Sequence, residues 1–220
     1  MQALTLISST ITPLKTNHSG EDSLKKMDQF RVNHLPIVKN NFYLGIISDK
    51  EINNWESKKD AISEHIPNIV SPHVLENQHL FDIIETVEKN NLSVVPVLDE
   101  KQLYLGVITN RKLLYTIAKS AAIQSVGGVI VIRLSENDYS LTEISSIIES
   151  ENYKILSSHV TSIPNSTQME ITIKTNKSNI SSLVKSLKRH GYEIAASYKE
   201  DEIDKDFTDR YNHLMRFLNP

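Results

Sequence analysis

The chain has 220 residues, of which 39% are hydrophobic and 23% are charged, and its formal net charge is −3. This is the composition of ordinary globular domains, and the length suits two of them. Lys and Arg are spread along the chain, whereas binding to nucleic acid needs them clustered, so no nucleic-acid partner is expected. A phosphate-bearing small molecule is compatible with this charge, because one or two local cations suffice to bind it.

The chain contains no cysteine, which excludes disulfides, thiolate nucleophiles and cysteine-based zinc sites. No stretch approaches the ~18 consecutive apolar residues that indicate a membrane-spanning helix. Residues 1–7 lack the basic region and the long apolar region of a secretory signal. We therefore expect a cytoplasmic protein that has no membrane partner.

Two sequence blocks of the N-terminal half occur twice, and such repeats determine the architecture. Residues 34–38 (HLPIV) are matched by residues 94–98 (VVPVL). Residues 43–48 (YLGIIS) are matched by residues 104–109 (YLGVIT), so the turn between the two blocks is one residue longer in the second copy. One copy alone would be marginally stable, and we expect the two to bury a shared core that leaves two related clefts.

Each copy is predicted to have the order β-α-β-β-α. The first helix of the second copy is indicated by apolar residues at helical spacing, namely Leu80, Ile83, Ile84 and Val87. The first copy has a weaker version of the same stripe, formed by Leu24, Met27 and Phe30. Ser48 and Thr109 follow the last strand of their copies and are placed to cap the final helix of each.

These paired blocks resemble a CBS domain pair, over roughly residues 1–122. The resemblance rests on an apolar-Pro-apolar run, a turn, and a Leu-Gly-apolar-apolar-Ser/Thr block, present twice in register. It implies a flat module that often forms homodimers. It also implies a ligand between the repeats, such as AMP, ADP, ATP or S-adenosylmethionine.

The family's ribose-binding pattern, Gly-apolar-apolar-Thr/Ser-x-x-Asp, falls on Ser48 and Thr109, and both copies depart from it at the Asp. Glu51 keeps a carboxylate acceptor, whereas Lys112 has only donors and, beside Arg111, suits a phosphate. We therefore predict unequal clefts, in which Glu51 contributes more to nucleotide binding than Lys112. The resemblance further places adenine recognition at the backbone around Thr12, His34, Ser71 and Val94.

A purely structural interpretation of these residues stays open. Ser48 and Thr109 are also explained as helix caps, and Glu51 as a first-turn acid that interacts with the helix dipole. Arg111 and Lys112 are also explained as solvated surface residues.

The second half has a different pattern, which predicts the order βαββαβ of a ferredoxin-like fold. Gly127 and Gly128 are interpreted as a hinge before it. Ser140 and Glu143 have the spacing of a capping box. The helix that they begin is predicted to bury Leu141, Ile144, Ile147 and Ile148, and the second helix to bury Ile180, Leu183, Val184 and Leu187.

This half resembles an ACT domain, and the order of the three parts resembles acetoin-utilisation-type regulators. ACT domains pair with one another and bind amino acids. The turn that would hold such a ligand, residues 135–139, contains Asp138 but no Gly, so a role in dimerisation or docking is equally open. The C-terminal residues predict an amphipathic helix that packs on protein rather than on a membrane, through Phe207, Tyr211, Leu214, Met215 and Leu218.

The chain is therefore predicted to have a mixed α/β and α+β fold in four parts. These are the CBS repeats at residues 1–60 and 61–125, the ACT-like domain at 127–199 and the helix at 200–220. No motif for a nucleophile, a Walker-type phosphate loop or a metal occurs, so no enzymatic activity, cofactor or metal is predicted. The predicted function is a cytoplasmic, homodimeric regulator that binds an adenine nucleotide and acts on an unknown protein partner.

Two other functions remain open from the sequence. The chain is also interpreted as a structural adaptor whose repeats bind no ligand, which the substituted Asp positions favour. A third interpretation is an amino-acid sensor that acts through the ACT-like half.

Overall fold

A computed structural model describes residues 1–66 and 69–198. Their contacts define two compact units, Met1–Thr116 and a second unit that begins at Ile117. The helix predicted at residues 200–220 lies outside the described residues. Within the described ranges, every helix falls short of the length and apolarity needed to cross a bilayer.

The first unit contains both sequence copies. The first copy has α1 (Gly20–Phe30), β1 (His34–Lys39), β2 (Phe42–Ser48) and α2 (Asp49–Asn53). The second copy has β3 (Val74–Leu75), α3 (Leu80–Lys89), β4 (Val94–Leu98), β5 (Tyr104–Thr109) and α4 (Asn110–Ser120). The predicted β-α-β-β-α order is therefore found in full in the second copy. In the first copy the opening strand is a single parallel bridge between Leu14 and Ile37.

The two hairpins have the same register, which confirms the repeat. Gly45 pairs with Ile37 in the first hairpin, and Gly106 pairs with Val97 in the second. A β-bulge follows that pair in each hairpin. The longer turn of the second copy is organised by Asp99, whose Oδ1 accepts hydrogen bonds from the backbone N–H groups of residues 101 and 103.

The segment that precedes each copy crosses to the sheet of the other copy. The Ser8 N–H donates to the Val107 carbonyl oxygen of β5 at 2.8 Å. In the other copy the direction is reversed, because the Ile46 N–H of β2 donates to the carbonyl oxygen of Val70 at 3.0 Å. The two copies are therefore joined at both sheets by hydrogen bonds as well as by their common core.

Each crossing segment places an isoleucine directly over a glycine. A Cβ added to Gly106 would lie 2.5 Å from Cγ2 of Ile7, and one added to Gly45 would lie 2.3 Å from Cγ2 of Ile69. Both glycines also have a positive φ, of 152° at Gly45 and 154° at Gly106, which side-chain-bearing residues rarely adopt. The close approach of the isoleucine and the positive φ therefore both require glycine at the same position of the two copies.

One hydrophobic core serves the whole first unit. It contains residues from both copies, including Met27 and Ile37 of the first and Ile83 and Val97 of the second. The predicted helix stripes face this core, although Leu24, Phe30, Ile84 and Val87 are only partly buried.

The second unit has the predicted βαββαβ order. Its elements are β6 (Val129–Ser135), α5 (Leu141–Ser150), β7 (Ile155–Ser162), β8 (Gln168–Thr175), α6 (Ser181–Arg189) and β9 (Glu193–Tyr198). The antiparallel sheet has the order β7-β8-β6-β9, which is that of a ferredoxin-like fold. Its core contains the predicted helix residues except Leu141, which begins α5 and is 43% exposed.

The two glycines before β6 are buried against this unit. The Gly128 N–H donates to the carbonyl oxygen of Lys177 at 2.7 Å, and the Thr175 N–H donates to the Gly128 carbonyl oxygen at 2.9 Å. A Cβ at Gly127 would lie 1.7 Å from the Thr175 carbonyl oxygen. Close packing of the backbone therefore accounts for the pair that the sequence suggested as a hinge.

The contact between Ile7 and Gly106 predicts how substitutions at these positions change the stability of the first unit. Gly106→Ala should lower the free energy of unfolding of the first unit by at least ~1–3 kcal/mol, the usual cost of a strained backbone conformation. Urea unfolding followed by the fluorescence of Trp55, the one tryptophan of the chain, measures this unit. Ile7→Ala should cost less in the Gly106→Ala background than in the wild type, because it removes the overlapping methyl group. Additive effects of the two substitutions would contradict this packing.

Candidate functional site

A cleft of about 760 Å³ lies in the first unit, beside the N-terminus of α4. Four parts of the chain form its walls: residues 7–11 of the crossing segment, residues 30–32 at the end of α1, Ser93 before β4, and residues 109–115 at the start of α4. The side chains that matter to its chemistry are those of Thr10, Phe30, Arg31, Ser93, Thr109, Arg111, Lys112 and Tyr115. The cleft therefore takes residues from both copies.

Thr109 begins α4 and orients one wall of this cleft. The Lys112 N–H donates to Thr109 Oγ1 at 3.1 Å, which confirms the predicted N-cap. Asn110 is held at the same point, since its N–H donates to the Ser93 carbonyl oxygen at 3.2 Å. α4 has 11 residues, so its N-terminus carries a partial positive charge towards the cleft.

The charged groups of the cleft are all cationic. Arg31, Arg111 and Lys112 line it, and no carboxylate side chain does so among the described residues. None of these three side chains forms an ion pair with another described residue. Arg31 is placed by the end of α1, where it has φ 55° and its N–H donates to backbone carbonyl oxygens of that helix.

The crossing segment contributes backbone groups to the same cleft. Ser8 Oγ and Thr10 Oγ1 lie 2.9 Å apart, and the Ser8 N–H is used in the bond to β5. The N–H groups of Ser9 and Thr10 make no hydrogen bond to another described residue. The cleft thus offers unpaired backbone donors from the crossing segment and cations from α1 and α4, and its lining also includes Phe30 and Tyr115.

The equivalent position in the first copy is arranged differently. The Ser48 N–H and the Ser48 hydroxyl both donate to Oε2 of Glu51, each at 2.7 Å. The Glu51 N–H donates in return to Ser48 Oγ at 3.1 Å, which completes a capping box. The structure therefore places the Glu51 carboxylate against the start of α2, and it does not line any cleft described here.

His34 joins the two copies near the middle of the unit. The Ser93 N–H donates to His34 Nδ1 at 3.3 Å, and the Asn33 N–H donates to Ser93 Oγ at 2.9 Å. Burial lowers the pKa of the His34 imidazole, which opposes the smaller effects of Asp49 and Glu51. His34 and Ser48 line a second cleft of about 310 Å³, which also contains Asn33, Asp49, Lys50 and Asn110.

The structure thus brings together only part of the predicted site. Thr109, Arg111 and Lys112 share the larger cleft, while His34 and Ser48 share the smaller one. Val94 is fully buried in β4, and Thr12 and Ser71 are exposed residues of the two crossing segments that line neither cleft.

Sequence reasoning missed Arg31, Phe30, Thr10 and Tyr115. Arg31 and Phe30 belong to the first copy, and only the packing of the two copies brings them to α4. Tyr115 had a local signal, because it lies one turn after Arg111 on the same helix. The spacing of Ser48 and Glu51 also carried the signal of a capping box, which explains the position of the Glu51 carboxylate.

The second unit has a cavity of its own, of about 600 Å³, at the turn between β6 and α5. Its lining includes Arg133, Asp138, Tyr139, Glu143 and His190. Arg133 NH2 lies 2.6 Å from Oε1 of Glu170, so its charge is already paired. Residues 1–66 and 69–198 contain no group of three or more His, Asp or Glu side chains placed to hold a metal ion.

A family model of the CBS domain matches the chain twice, over residues 6–58 and residues 62–119. Together the two matches span just over half of the 220 residues, and the chain therefore belongs to the CBS-domain family. The two matches correspond to the two copies that share the core of the first unit.

Several solved structures are similar to the chain over about half of its length. A CBS domain pair/ACT domain protein from Thermotoga maritima is 12% identical, with a TM-score of 0.49 over 54% of this chain and 98% of its own. CBSX2 in complex with AMP is 18% identical, with a TM-score of 0.44 over 54% of this chain and 96% of its own. The CBS domain of a bacterial CNNM/CorC family Mg²⁺ transporter in complex with ATP is 14% identical, with a TM-score of 0.44 over 54% of this chain and 87% of its own. None of the three is similar enough to assign a ligand to this chain.

The buried His34 predicts how stability depends on pH. Because the folded state lowers the pKa of His34 below its ordinary 6.5, the unfolded state takes up the proton first and stability falls as the pH drops below that value. His34→Asn keeps an acceptor near the Nδ1 position but cannot be protonated. The loss of unfolding free energy between about pH 7.5 and pH 5 should therefore be smaller in His34→Asn than in the wild type.

The matched control is His159→Asn, on an exposed residue of β7 in the second unit. Urea unfolding at each pH, followed by the fluorescence of Trp55, gives the free energy of unfolding. Some pH dependence should remain in His34→Asn, because burial also lowers the pKa of His18 in the same unit. An unchanged pH dependence in His34→Asn would show that this imidazole does not couple folding to protons.

Proposed function

We propose that this protein is a regulator whose CBS repeats bind an adenine nucleotide in the larger cleft, at the N-terminus of α4. The observation that carries the proposal is the cleft itself: it measures about 760 Å³, a volume typical of small-molecule sites, and all of its charged side chains are cations. Membership of the CBS-domain family supports the same ligand class, because the resemblance implies an adenosyl compound between the repeats.

The phosphate end of the ligand would lie at α4. The helix N-terminus favours an anion there, and Arg111 and Lys112 belong to its first turn. Arg31 reaches the same cleft from the end of α1. Charge-assisted hydrogen bonds of this kind are about twice as strong as neutral ones.

The base would lie at the crossing segment. The N–H groups of Ser9 and Thr10 are available to the nitrogen acceptors of adenine, since no described residue uses them. Phe30 and Tyr115 provide aromatic surface in the same cleft, and Tyr115 is 57% exposed.

The position of the ligand determines how its binding would regulate the protein. Its binding residues come from both copies, so a bound nucleotide would favour the arrangement in which Arg31 and α4 face each other. A ligand that prefers one of two states changes a partner's affinity by a coupling of about 1–3 kcal/mol. We place the protein in the cytoplasm as a homodimer without enzymatic activity, and we assign this coupling to an unidentified protein partner.

Titration calorimetry of the full chain with ATP, ADP, AMP and S-adenosylmethionine tests this proposal. Removing one charged hydrogen-bond donor typically costs ~1.5–3 kcal/mol, so Arg111→Ala and Lys112→Ala should each weaken nucleotide binding by roughly tenfold or more. Glu51→Ala should have a smaller effect than Lys112→Ala, because the Glu51 carboxylate is already hydrogen-bonded to Ser48. This order reverses the one that the sequence alone predicts.

Two results would count against the proposal. If none of the four compounds binds, the cleft is not an adenosyl site and the adaptor interpretation is favoured. If Glu51→Ala weakens binding more than Lys112→Ala, the ligand lies at the first copy instead. The matched control is Lys101→Ala, on an exposed turn residue of the second copy, which should bind as the wild type does.

A second candidate function is amino-acid binding by the second unit, which we propose to be an ACT-like domain in an order similar to acetoin-utilisation-type regulators. The observation that favours it is the cavity of about 600 Å³ at the turn where the resemblance places such a ligand. Asp138 lines this cavity and suits an α-ammonium group, and the N-terminus of α5 suits a carboxylate.

This second function predicts that an amino acid raises the melting temperature of the protein and that Asp138→Asn abolishes the effect. A ligand at a hundredfold excess over its Kd stabilises by ~2.7 kcal/mol, which a thermal scan detects. Glu136→Gln is the control, because Glu136 lies in the same turn but does not line the cavity. A panel of the twenty amino acids without any shift would leave the second unit with a docking role only.

A further inference from the structure

We propose that the larger cleft selects its nucleotide by phosphate charge and not by the ribose hydroxyls. Its ligand would then be a nucleoside di- or triphosphate, and a deoxyribose would be accepted as readily as a ribose. This inference rests on the proposed function and makes it more specific.

A lysine stands where the resemblance places a ribose-binding carboxylate. At the fourth position of the Thr109 motif the chain has Lys112, whose ammonium group donates hydrogen bonds and accepts none. Ribose hydroxyls are recognised most strongly by a carboxylate that accepts from both of them. No other carboxylate side chain among the described residues lines this cleft, so none replaces the missing acceptor.

Most hydroxyl groups that line the cleft already form hydrogen bonds within the protein. Thr109 Oγ1 already accepts from the Lys112 N–H, and Ser93 Oγ accepts from the Asn33 N–H. Thr10 Oγ1 and Ser8 Oγ form a hydrogen bond with each other. The hydroxyl groups of Ser8, Thr10, Ser93 and Thr109 are therefore engaged, whereas those of Ser9 and Tyr115 make no hydrogen bond to another described residue. A neutral hydroxyl also binds a ribose diol less strongly than a carboxylate does, because charge-assisted hydrogen bonds are about twice as strong.

Three cationic side chains from two helices line the cleft. Arg31 comes from the end of α1, whereas Arg111 and Lys112 come from the start of α4. These three side chains have no ion-pair partner among the described residues, so a ligand would not have to displace one. Each additional phosphate brings more negative charge and more acceptor oxygens, and a cleft with cations on two walls rewards both.

The positions related to these three by the sequence repeat carry a different set of side chains. Lys50 and Glu51 stand at the positions that correspond to Arg111 and Lys112, and Asn91 stands at the position of Arg31. Asn91 and Arg31 share the same left-handed backbone conformation, with φ of 49° and 55°. Lys50 is itself a cation, so the comparison shows that the fold does not demand a cation at the positions of Arg31 and Lys112. The three cations occur together only at the larger cleft.

The test is titration calorimetry of the full chain with ATP, ADP, AMP, adenosine, 2′-deoxy-ATP and 3′-deoxy-ATP, in the absence of divalent metal. We expect ATP and its two deoxy forms to bind within about threefold of one another, and AMP to bind at least tenfold more weakly than ATP. Inorganic tripolyphosphate should compete with ATP, whereas adenosine should not.

A charge-reversing variant tests the role of the single residue. Lys112→Asp restores the carboxylate, so it should weaken ATP binding by tenfold or more and make the deoxy forms bind more weakly than ATP. The matched control is Lys101→Asp, which makes the same change of charge on an exposed turn. Lys112→Gln, which only removes the charge, provides a second variant if Lys112→Asp does not fold.

The outcomes separate this inference from the proposed function. If ATP binds but either deoxy form binds at least tenfold more weakly, or AMP binds as tightly as ATP, the selection by charge is wrong and the nucleotide site stands. If none of the nucleotides binds, both the site and its selectivity are wrong.

Discussion

The structure of the first unit depends on the close approach of a chain segment to a glycine, which occurs twice. Ile7 lies over Gly106, and Ile69 lies over Gly45, where a Cβ atom would overlap the isoleucine in each case. These contacts hold the segment that precedes one copy against the sheet of the other copy. Because Ser8 then pairs with β5 while Leu14 pairs with β1, residues 9–13 have to pass between the two copies. That passage is what forms one wall of the larger cleft.

The two copies have the same backbone fold, but their clefts differ in chemistry. The reason is that a carboxylate accepts hydrogen bonds at a helix N-terminus, whereas an ammonium group only donates them. In the first copy, Glu51 accepts from Ser48 and is held in the cap of α2. In the second copy, the equivalent Lys112 cannot accept a hydrogen bond from the N-cap residue, so its side chain is left to line the cleft. The single difference between Glu51 and Lys112 therefore both removes the carboxylate and adds a cation to the cleft.

The parts of the fold that the sequence predicted well are those with a local signal. The in-register repeat and the caps at Ser48 and Thr109 each depend on neighbouring residues, and the structure confirms them. The contribution of Arg31 could not be predicted in this way, because it depends on which copy packs against which. Residues 1–10 likewise carry no helical or strand periodicity, so their crossing to β5 became visible only in the structure. Leu141 shows the same limit at an element end, since the first residue of a helix is poorly covered by its neighbours.

The location of the nucleotide is the central claim, and backbone amide chemical shifts of the full chain during a titration with ATP test it most directly. We predict that the largest chemical-shift changes occur at Ser9, Thr10, Arg31 and Arg111, which line the larger cleft. Changes confined to the second unit, or centred on Ser48 and Glu51, would contradict the account.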